Sequence, residues 1–352
     1  MRLIKVGHMS YTNSGVRLLC VYLSYTWSLT SHTSKTSSRL SYTREVVWNN
    51  LITRMKRSGQ RLVSRPCPYG SGTVKTNTLV RPFLKWAGGK RQLLPELQKY
   101  LPNPKQYKTY FEPFLGGGAL LLALQPNQAV VNDSNAELVN CYKTVRDAVE
   151  DLIVALSQHC NTEEYYYDIR DWDRLPNYCT KSAVERAARI IYLNKTCYNG
   201  LFRVNSQGQF NVPFGRYTDP NIVDEGVLRA VSAYLNEAHV TILNYDFVDA
   251  VKDAKRGDFI YFDPPYDPVS DTASFTGYDI NGFGKAEQEK LKMVVDDLTR
   301  RGCKVLLSNA YTPFITDLYR GYYRAKVEAS RAINSNGQKR GKIDEILVRN
   351  YD

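Results

Sequence analysis

Apolar residues recur along this chain in two rhythms. Residues 109–114, 129–132, 240–244, 258–262 and 303–307 are short runs rich in β-branched and aromatic side chains, which predict buried strands. Stretches 119–124, 183–194 and 285–301 instead repeat their apolar positions at helical spacing, with Ala187, Ile190 and Ile191 on one face of the second. Leu93, Leu94 and Leu97 carry the same spacing nearer the start of the pattern. Residues 323–329 and 342–349 are two final strand candidates, close enough to pair antiparallel. Strand–helix alternation predicts an α/β fold. It lapses between 137 and 236, where amphipathic helical stretches surround a polar-aromatic loop, so that segment reads as a mainly helical insert in a domain built from 81–136 and 237–352.

Glycines punctuate the first repeat. Thr109-Tyr110-Phe111-Glu112-Pro113-Phe114 runs into Leu115-Gly116-Gly117-Gly118 and then the apolar helix at 119–124, which is the start of a Rossmann-like unit. Glycines there let a ligand approach the backbone closely. The second strand ends in Asp133, placed to accept hydrogen bonds from ribose hydroxyls. The other reading is a structural turn followed by a helix cap. Upstream, Lys85-Trp86-Ala87-Gly88-Gly89-Lys90 sets two glycines between an aromatic residue and a lysine, without the full phosphate-loop pattern of a nucleotide triphosphatase.

The 258–262 strand delivers Asp263 into Pro264, Pro265 and Tyr266. The prolines fix φ and donate no hydrogen bonds, so the turn is stiff and rich in acceptors, and an aromatic face stands beside it. Such a site suits a flat ligand with an exocyclic amino group; alone, the tetrapeptide also fits an ordinary strand-ending turn. Within the insert, residues 192–205 interleave amides, bases and rings around Gly200, and 210–217 continue in that style. Arginine reads guanine, asparagine reads adenine and rings stack; a structural loop domain has the same composition. The loop at 330–341 is basic and amide-rich, and on a hairpin Arg331 reaches a phosphate backbone or a solvated tip.

Composition alters this picture at one end. The net charge is +12, and residues 1–80 hold twelve Lys or Arg against Glu45 alone, leaving a net of +1 for the rest. These first 80 residues lack Asp and lack any sustained pattern. They are either a basic arm that touches nucleic acid, or a disordered or mis-assigned upstream extension; the second reading is favoured, with a start near Val74. The stretch at 16–29, interrupted by Arg17, is short of a span of about 20 residues, and no other stretch reaches that length. Seven scattered cysteines without Cys-x-x-Cys argue against a disulfide framework or zinc site and suit a reducing, cytoplasmic setting. Four histidines show no metal-ligand spacing, so no metal is expected.

These motifs, in this order, carry a resemblance. Residues 81–352 resemble the Dam-type DNA adenine methyltransferases of the alpha arrangement. The resemblance rests on Lys85 to Lys90, Glu112 to Gly118, Asp133, Tyr198 to Arg203 and Asp263-Pro264-Pro265-Tyr266. It implies a Rossmann-like domain that uses S-adenosyl-L-methionine to methylate adenine N6 in double-stranded DNA, within GATC. It further implies that Trp86, Lys90, Glu112, Phe114, Gly116, Gly118, Asp133 and Asp263 bind that donor. The insert becomes a target recognition domain in which Arg203 reads guanine and Lys85, Lys195, Tyr198, Asn199 and Leu201 face DNA. Lys195 stands where some relatives carry arginine, exchanging a forked donor for a point charge. The implied chemistry is direct transfer onto a flipped adenine stacked on Tyr266, its amino group held by Asp263 and the Pro264 carbonyl. The readings left beside it are an RNA or protein methyltransferase, cytosine N4 methylation, and a DNA-binding module without catalysis.

Overall fold

Seven strands form one mixed sheet in the order β3-β2-β1-β4-β5-β7-β6. The computed structural model describes residues 76–86, 88–268, 282–330 and 342–352, all within one unit, Leu62–Asp352. Residues 1–75 and Arg331 lie outside the described residues. The strands are β1 (Tyr110–Glu112), β2 (Gln128–Asn132), β3 (His239–Leu243), β4 (Phe259–Phe262), β5 (Lys304–Ala310), β6 (Tyr323–Ser330) and β7 (Lys342–Arg349). The first five are mutually parallel, and β7 runs antiparallel between β5 and β6. The alternating pattern at the C-terminus thus forms the expected hairpin.

All four residues of β4 are buried, which is why its sequence reads as an unbroken apolar run. A central parallel strand is covered on both faces. One face packs Phe111, Ile260, Phe262, Leu291, Val295, Leu298 and Ile346. Here lie the helices Phe247–Ala250, Lys285–Arg300 and Pro313–Leu318. The other face buries Tyr110, Leu120, Leu121, Val131, Phe259 and Tyr261.

On that second face the chain forms a short α1 (Leu94–Leu97), then α2 (Ala119–Leu124), whose small-and-leucine sequence is buried through its first four residues. Between β2 and β3 come α3 (Ala136–Asp147), α4 (Val149–Ser157), α5 (Glu163–Arg170), α6 (Ala183–Thr196) and α7 (Glu225–Glu237). Local sequence sets their starts. Asn135 accepts from Leu138 N–H, and Ser182 and Glu185 form a reciprocal capping box at the head of α6. Helices α3, α4, α6 and α7 pack together, and α3 and α7 also touch β3. The insert therefore shares its core with the sheet domain. Past β3, α8 (Phe247–Ala250), α9 (Lys285–Arg300) and α10 (Pro313–Leu318) complete the first layer.

From β1 the chain winds outward to β2 and β3, then returns to β4 and winds the other way to β5. The carboxyl ends of β1 and β4 thus flank a topological switch point, where open α/β sheets bind ligands. The glycine loop follows β1. The acidic tetrapeptide follows β4.

Candidate active site

The catalytic candidates converge on Lys90, which is 6% exposed. Its Nζ lies 2.8 Å from Asp263 Oδ1 and 4.5 Å from the centre of the Tyr266 ring. The Lys90 ammonium also donates to the Gly88 carbonyl, 2.7 Å away, so one three-donor cation braces the loop and holds the buried Asp263 Oδ1 as an ion pair. Burial pushes the Asp263 carboxyl up to about 6; Lys90 pulls it down, and the charge of Glu345 pushes it up further. The Tyr266 hydroxyl donates to Glu345 Oε2 at 2.8 Å, which fixes the ring that flanks the carboxylate. Glu345, on β7, escaped the sequence reading. Its only trace there is the second acid of Asp344-Glu345, just before the apolar Ile346-Leu347-Val348.

The glycine loop forms a tight cradle. Gly116 and Gly118 adopt φ of +51° and +64°, and Gly118 opens α2 from the left-handed region. A Cβ at Gly118 would meet the Tyr142 hydroxyl at 2.5 Å, and one at Gly116 would meet Trp86 at 3.2 Å. Asp133 accepts from Gly116 N–H and Asn135 N–H, each at 2.9 Å, so the second strand's acid braces the loop itself. Burial raises its carboxyl above the usual range, and those two bonds hold it back.

Glu112 lies deeper. Its Oε2 accepts from the Tyr110 hydroxyl at 2.8 Å and from Leu121 N–H at 3.2 Å, beneath the first turn of α2. Burial pushes this carboxyl up to about 8, against the pull of the Tyr110 bond. Phe114 packs against Phe247, Phe262 and Phe283, with ring centres 5.3 to 6.3 Å apart. That aromatic wall beside the loop is also invisible in sequence, because its four rings come from four separate segments.

Trp86 joins the two halves of the site. It lies against Gly116 and Gly117 and stacks on Phe202 of the insert, with ring centres 4.6 Å apart. The buried Asn194 reinforces this junction: its side chain exchanges hydrogen bonds with Lys85 N–H (2.8 Å) and Lys85 C=O (2.7 Å) and donates to Gly200 C=O (3.0 Å). Lys85 consequently runs beside Gly200, where any Cβ would collide with its side chain. Asn199 holds a left-handed φ of +58°, tolerated by its short amide.

The remaining insert residues present outward. Tyr198 is 46% exposed, Leu201 is half-buried, and Arg203 is exposed. The Arg203 guanidinium donates to the Asn211 carbonyl and side chain. Bridges between Cys197 and Phe214 and between Val204 and Phe210 make this stretch a hairpin. Its turn end is tied down by the ion pair of the buried Arg189 with Asp173, since Asp173 also accepts from Phe210 N–H at 2.7 Å. Lys195 is half-buried, and burial lowers its ammonium.

Sheet order, glycine cradle and buried acidic turn at the switch point define a Rossmann-like α/β methyltransferase. The profile of the D12 class of N6 adenine-specific DNA methyltransferases matches residues 86–333, and the chain belongs to this family. It is 47% identical over 279 residues to a Type II methyltransferase of Lactococcus lactis subsp. cremoris, covering 79% of this chain and 98% of that one. It is 42% identical to a Type II methyltransferase of Methanocaldococcus jannaschii (77% and 99% covered). It is 36% identical to a DNA adenine methylase of Haemophilus influenzae (78% and 96% covered). The enzyme is an adenine-specific DNA methyltransferase, and its family requires a methyl donor. Among the described residues, no group of three or more His, Cys, Asp or Glu could hold a metal ion, and no helix is long and apolar enough to cross a membrane.

Proposed function

We propose that the enzyme transfers methyl from S-adenosyl-L-methionine to the N6 amino group of an adenine flipped out of double-stranded DNA, within GATC. The observation that carries this reading is the buried Asp263 carboxylate, paired with Lys90 and set beside Tyr266 at the carboxyl edge of β4. The residues also fit the donor. A Cβ at Gly118 would clash and one at Gly116 would crowd Trp86, which covers the loop, while Asp133 and the Phe114 wall stand at its side. Lys90, Glu112 and Asp263 supply charge at its inner end. When bound, the donor supplies an electrophilic sulfonium methyl.

The chain's own groups do the rest. Adenine's amino lone pair is delocalised into the ring and is a poor nucleophile. Asp263 and the Pro264 carbonyl accept its two protons' hydrogen bonds, favour pyramidal nitrogen and stabilise the positive charge that grows there. Tyr266 fixes the plane of the base, and alignment supplies much of the remaining acceleration. The insert, 137–236, acts as the recognition domain: Arg203 reads guanine, Tyr198, Asn199 and Leu201 line or enter the duplex, and Lys85 and Lys195 meet it as charges. Asp263→Ala abolishes tritiated-methyl transfer to GATC duplexes on this reading. Near-normal turnover would sink the mechanism, and equal turnover on duplexes lacking GATC would sink the specificity.

A further inference from the structure

Behind the catalytic turn lies a closed chain of buried amides. Gln288, in the first turn of α9, and Asn309, near the end of β5, are both 0% exposed. Asn309 Oδ1 accepts from the backbone N–H groups of Asp267 (3.1 Å) and Ala310 (2.8 Å). Two N–H donors fix which end of that amide is oxygen. Asn309 Nδ2 therefore donates to Gln288 Oε1 at 3.0 Å, and Gln288 Nε2 is left to donate to the Pro265 carbonyl at 2.9 Å. Asp267 is held from the other side as well, its Oδ2 accepting from the Thr312 hydroxyl at 2.7 Å. Thr312 in turn caps α10.

The consequence falls on the carbonyls of the tetrapeptide. Pro265 C=O is engaged by Gln288, whereas no group among the described residues donates to Pro264 C=O. One carbonyl is tied into the core and its neighbour is kept for the substrate. Pro265 confines the ψ of Pro264 to the extended region, which sets the Pro264 carbonyl relative to the turn, but the ψ of Pro265 before Tyr266 stays open, so Pro-Pro alone does not fix how the turn sits against the core. A buried donor on the Pro265 carbonyl does.

We propose that Gln288 is a positioning residue, which holds the Pro265 carbonyl through an orientation dictated by Asn309 so that Asp263 and Pro264 keep facing the adenine amino group. This rests on the reading of Asp263 and Pro264 as the amino-group acceptors. Gln288→Leu removes the donor within a similar volume, and Gln288→Glu keeps the acceptor for Asn309 but donates to Pro265 only when protonated. For the Leu variant we expect single-turnover methylation to fall about tenfold or more, since misplacement by about 1 Å can cost ~10²-fold. Donor affinity by calorimetry should stay within about threefold, and hydrogen exchange in the peptide spanning 263–268 of the donor-free protein should accelerate. The Glu variant's rate, relative to the natural enzyme at the same pH, should rise as pH falls. A merely structural role predicts no such trend, so the Glu variant decides the matter if the Leu variant does not fold. A folded Leu variant within about threefold of the natural rate, or a flat pH ratio for the Glu variant, overturns the proposal. Asp263→Ala measured alongside separates the failures: if it retains turnover, the acceptor reading is wrong; if it is inactive while Gln288→Leu is normal, only the role of Gln288 is wrong.

Discussion

The ammonium of Lys90 sets the pH at which Asp263 works, and Lys90→Met exposes that dependence. On the proposed mechanism Asp263 accepts a hydrogen bond from the amino group as a carboxylate, so the rate should rise with pH through its pKa. In the natural protein burial has already pushed that pKa up to about 6, with Lys90 opposing the push from 2.8 Å. An opposite charge at this range typically holds a carboxyl down by about 1–3, so its removal moves the midpoint to about 7–9. At pH 7.5 the ionised fraction then falls from nearly all to between roughly three-quarters and a few hundredths, a rate loss of up to about 30-fold that alkaline pH restores. The assay is kcat/KM for tritiated-methyl transfer from pH 5 to pH 9.5, because this ratio reports groups of the free enzyme. Lys90→Met also weakens donor binding, which lowers the curve without moving it. Position, not height, is the readout. A limb still centred near pH 6 would refute the coupling and leave Lys90 with a binding role only.

The other perturbations follow the same geometry. Glu345→Gln keeps an acceptor for the Tyr266 hydroxyl but removes the charge that raises Asp263, so the acid limb should move below about 6; a limb that stays or rises contradicts this. Glu112 is held near 8 in the folded protein against an ordinary 4.5, so the native state binds the extra proton and stability is lost as pH rises through that window. Glu112→Gln cannot ionise, and its unfolding free energy relative to the natural protein, from denaturant melts, should rise between pH 5 and pH 9 by on the order of a few kcal/mol; a constant difference excludes the linkage. Gly118→Ala forces a left-handed residue with its Cβ 2.5 Å from the Tyr142 hydroxyl, and should cost about 1–3 kcal/mol in denaturant unfolding along with most donor affinity by calorimetry. Adding Tyr142→Phe should recover part of that loss, and no recovery would place the cost in backbone strain alone.

Much of the sheet was legible because period-2 and unbroken apolar runs report burial directly. The 258–262 run is β4 within one residue, and the two late strand candidates form the hairpin β6–β7. The run at 109–114 yields only Tyr110–Glu112 as strand, since Pro113 cannot donate to the ladder. Leu93, Leu94 and Leu97 make just four helical residues, Leu94–Leu97, with Pro95 inside the first turn. The glycine loop, Asp133 and the tetrapeptide were found because each lies at a strand end, where the pattern changes. Glu345, Gln288, Asn309 and Asn194 were not, because a buried polar side chain leaves no periodic trace. Its role exists only in the partner it meets across 20 to 110 positions of chain.

Residues 85–90 are where recognition and chemistry share one backbone. Lys85 is clamped to the insert through Asn194, one residue later Trp86 stacks between Phe202 and the glycine loop, and four residues on Lys90 meets Asp263. Gly89 N–H bonds back to the Trp86 carbonyl at 3.2 Å, closing this segment into a turn rather than a loose linker. On the proposed recognition role, any shift of the 198–203 loop against DNA would either break the buried Asn194 bonds or carry Lys85 with it. Leaving such buried groups unsatisfied costs about 1–3 kcal/mol each, so moving the segment as a body is the cheaper course. The same turn then moves the charge that sets the acidity of Asp263. On the proposed mechanism, the loop that meets DNA and the lysine beside the amino-group acceptor are therefore tied to one short segment of chain.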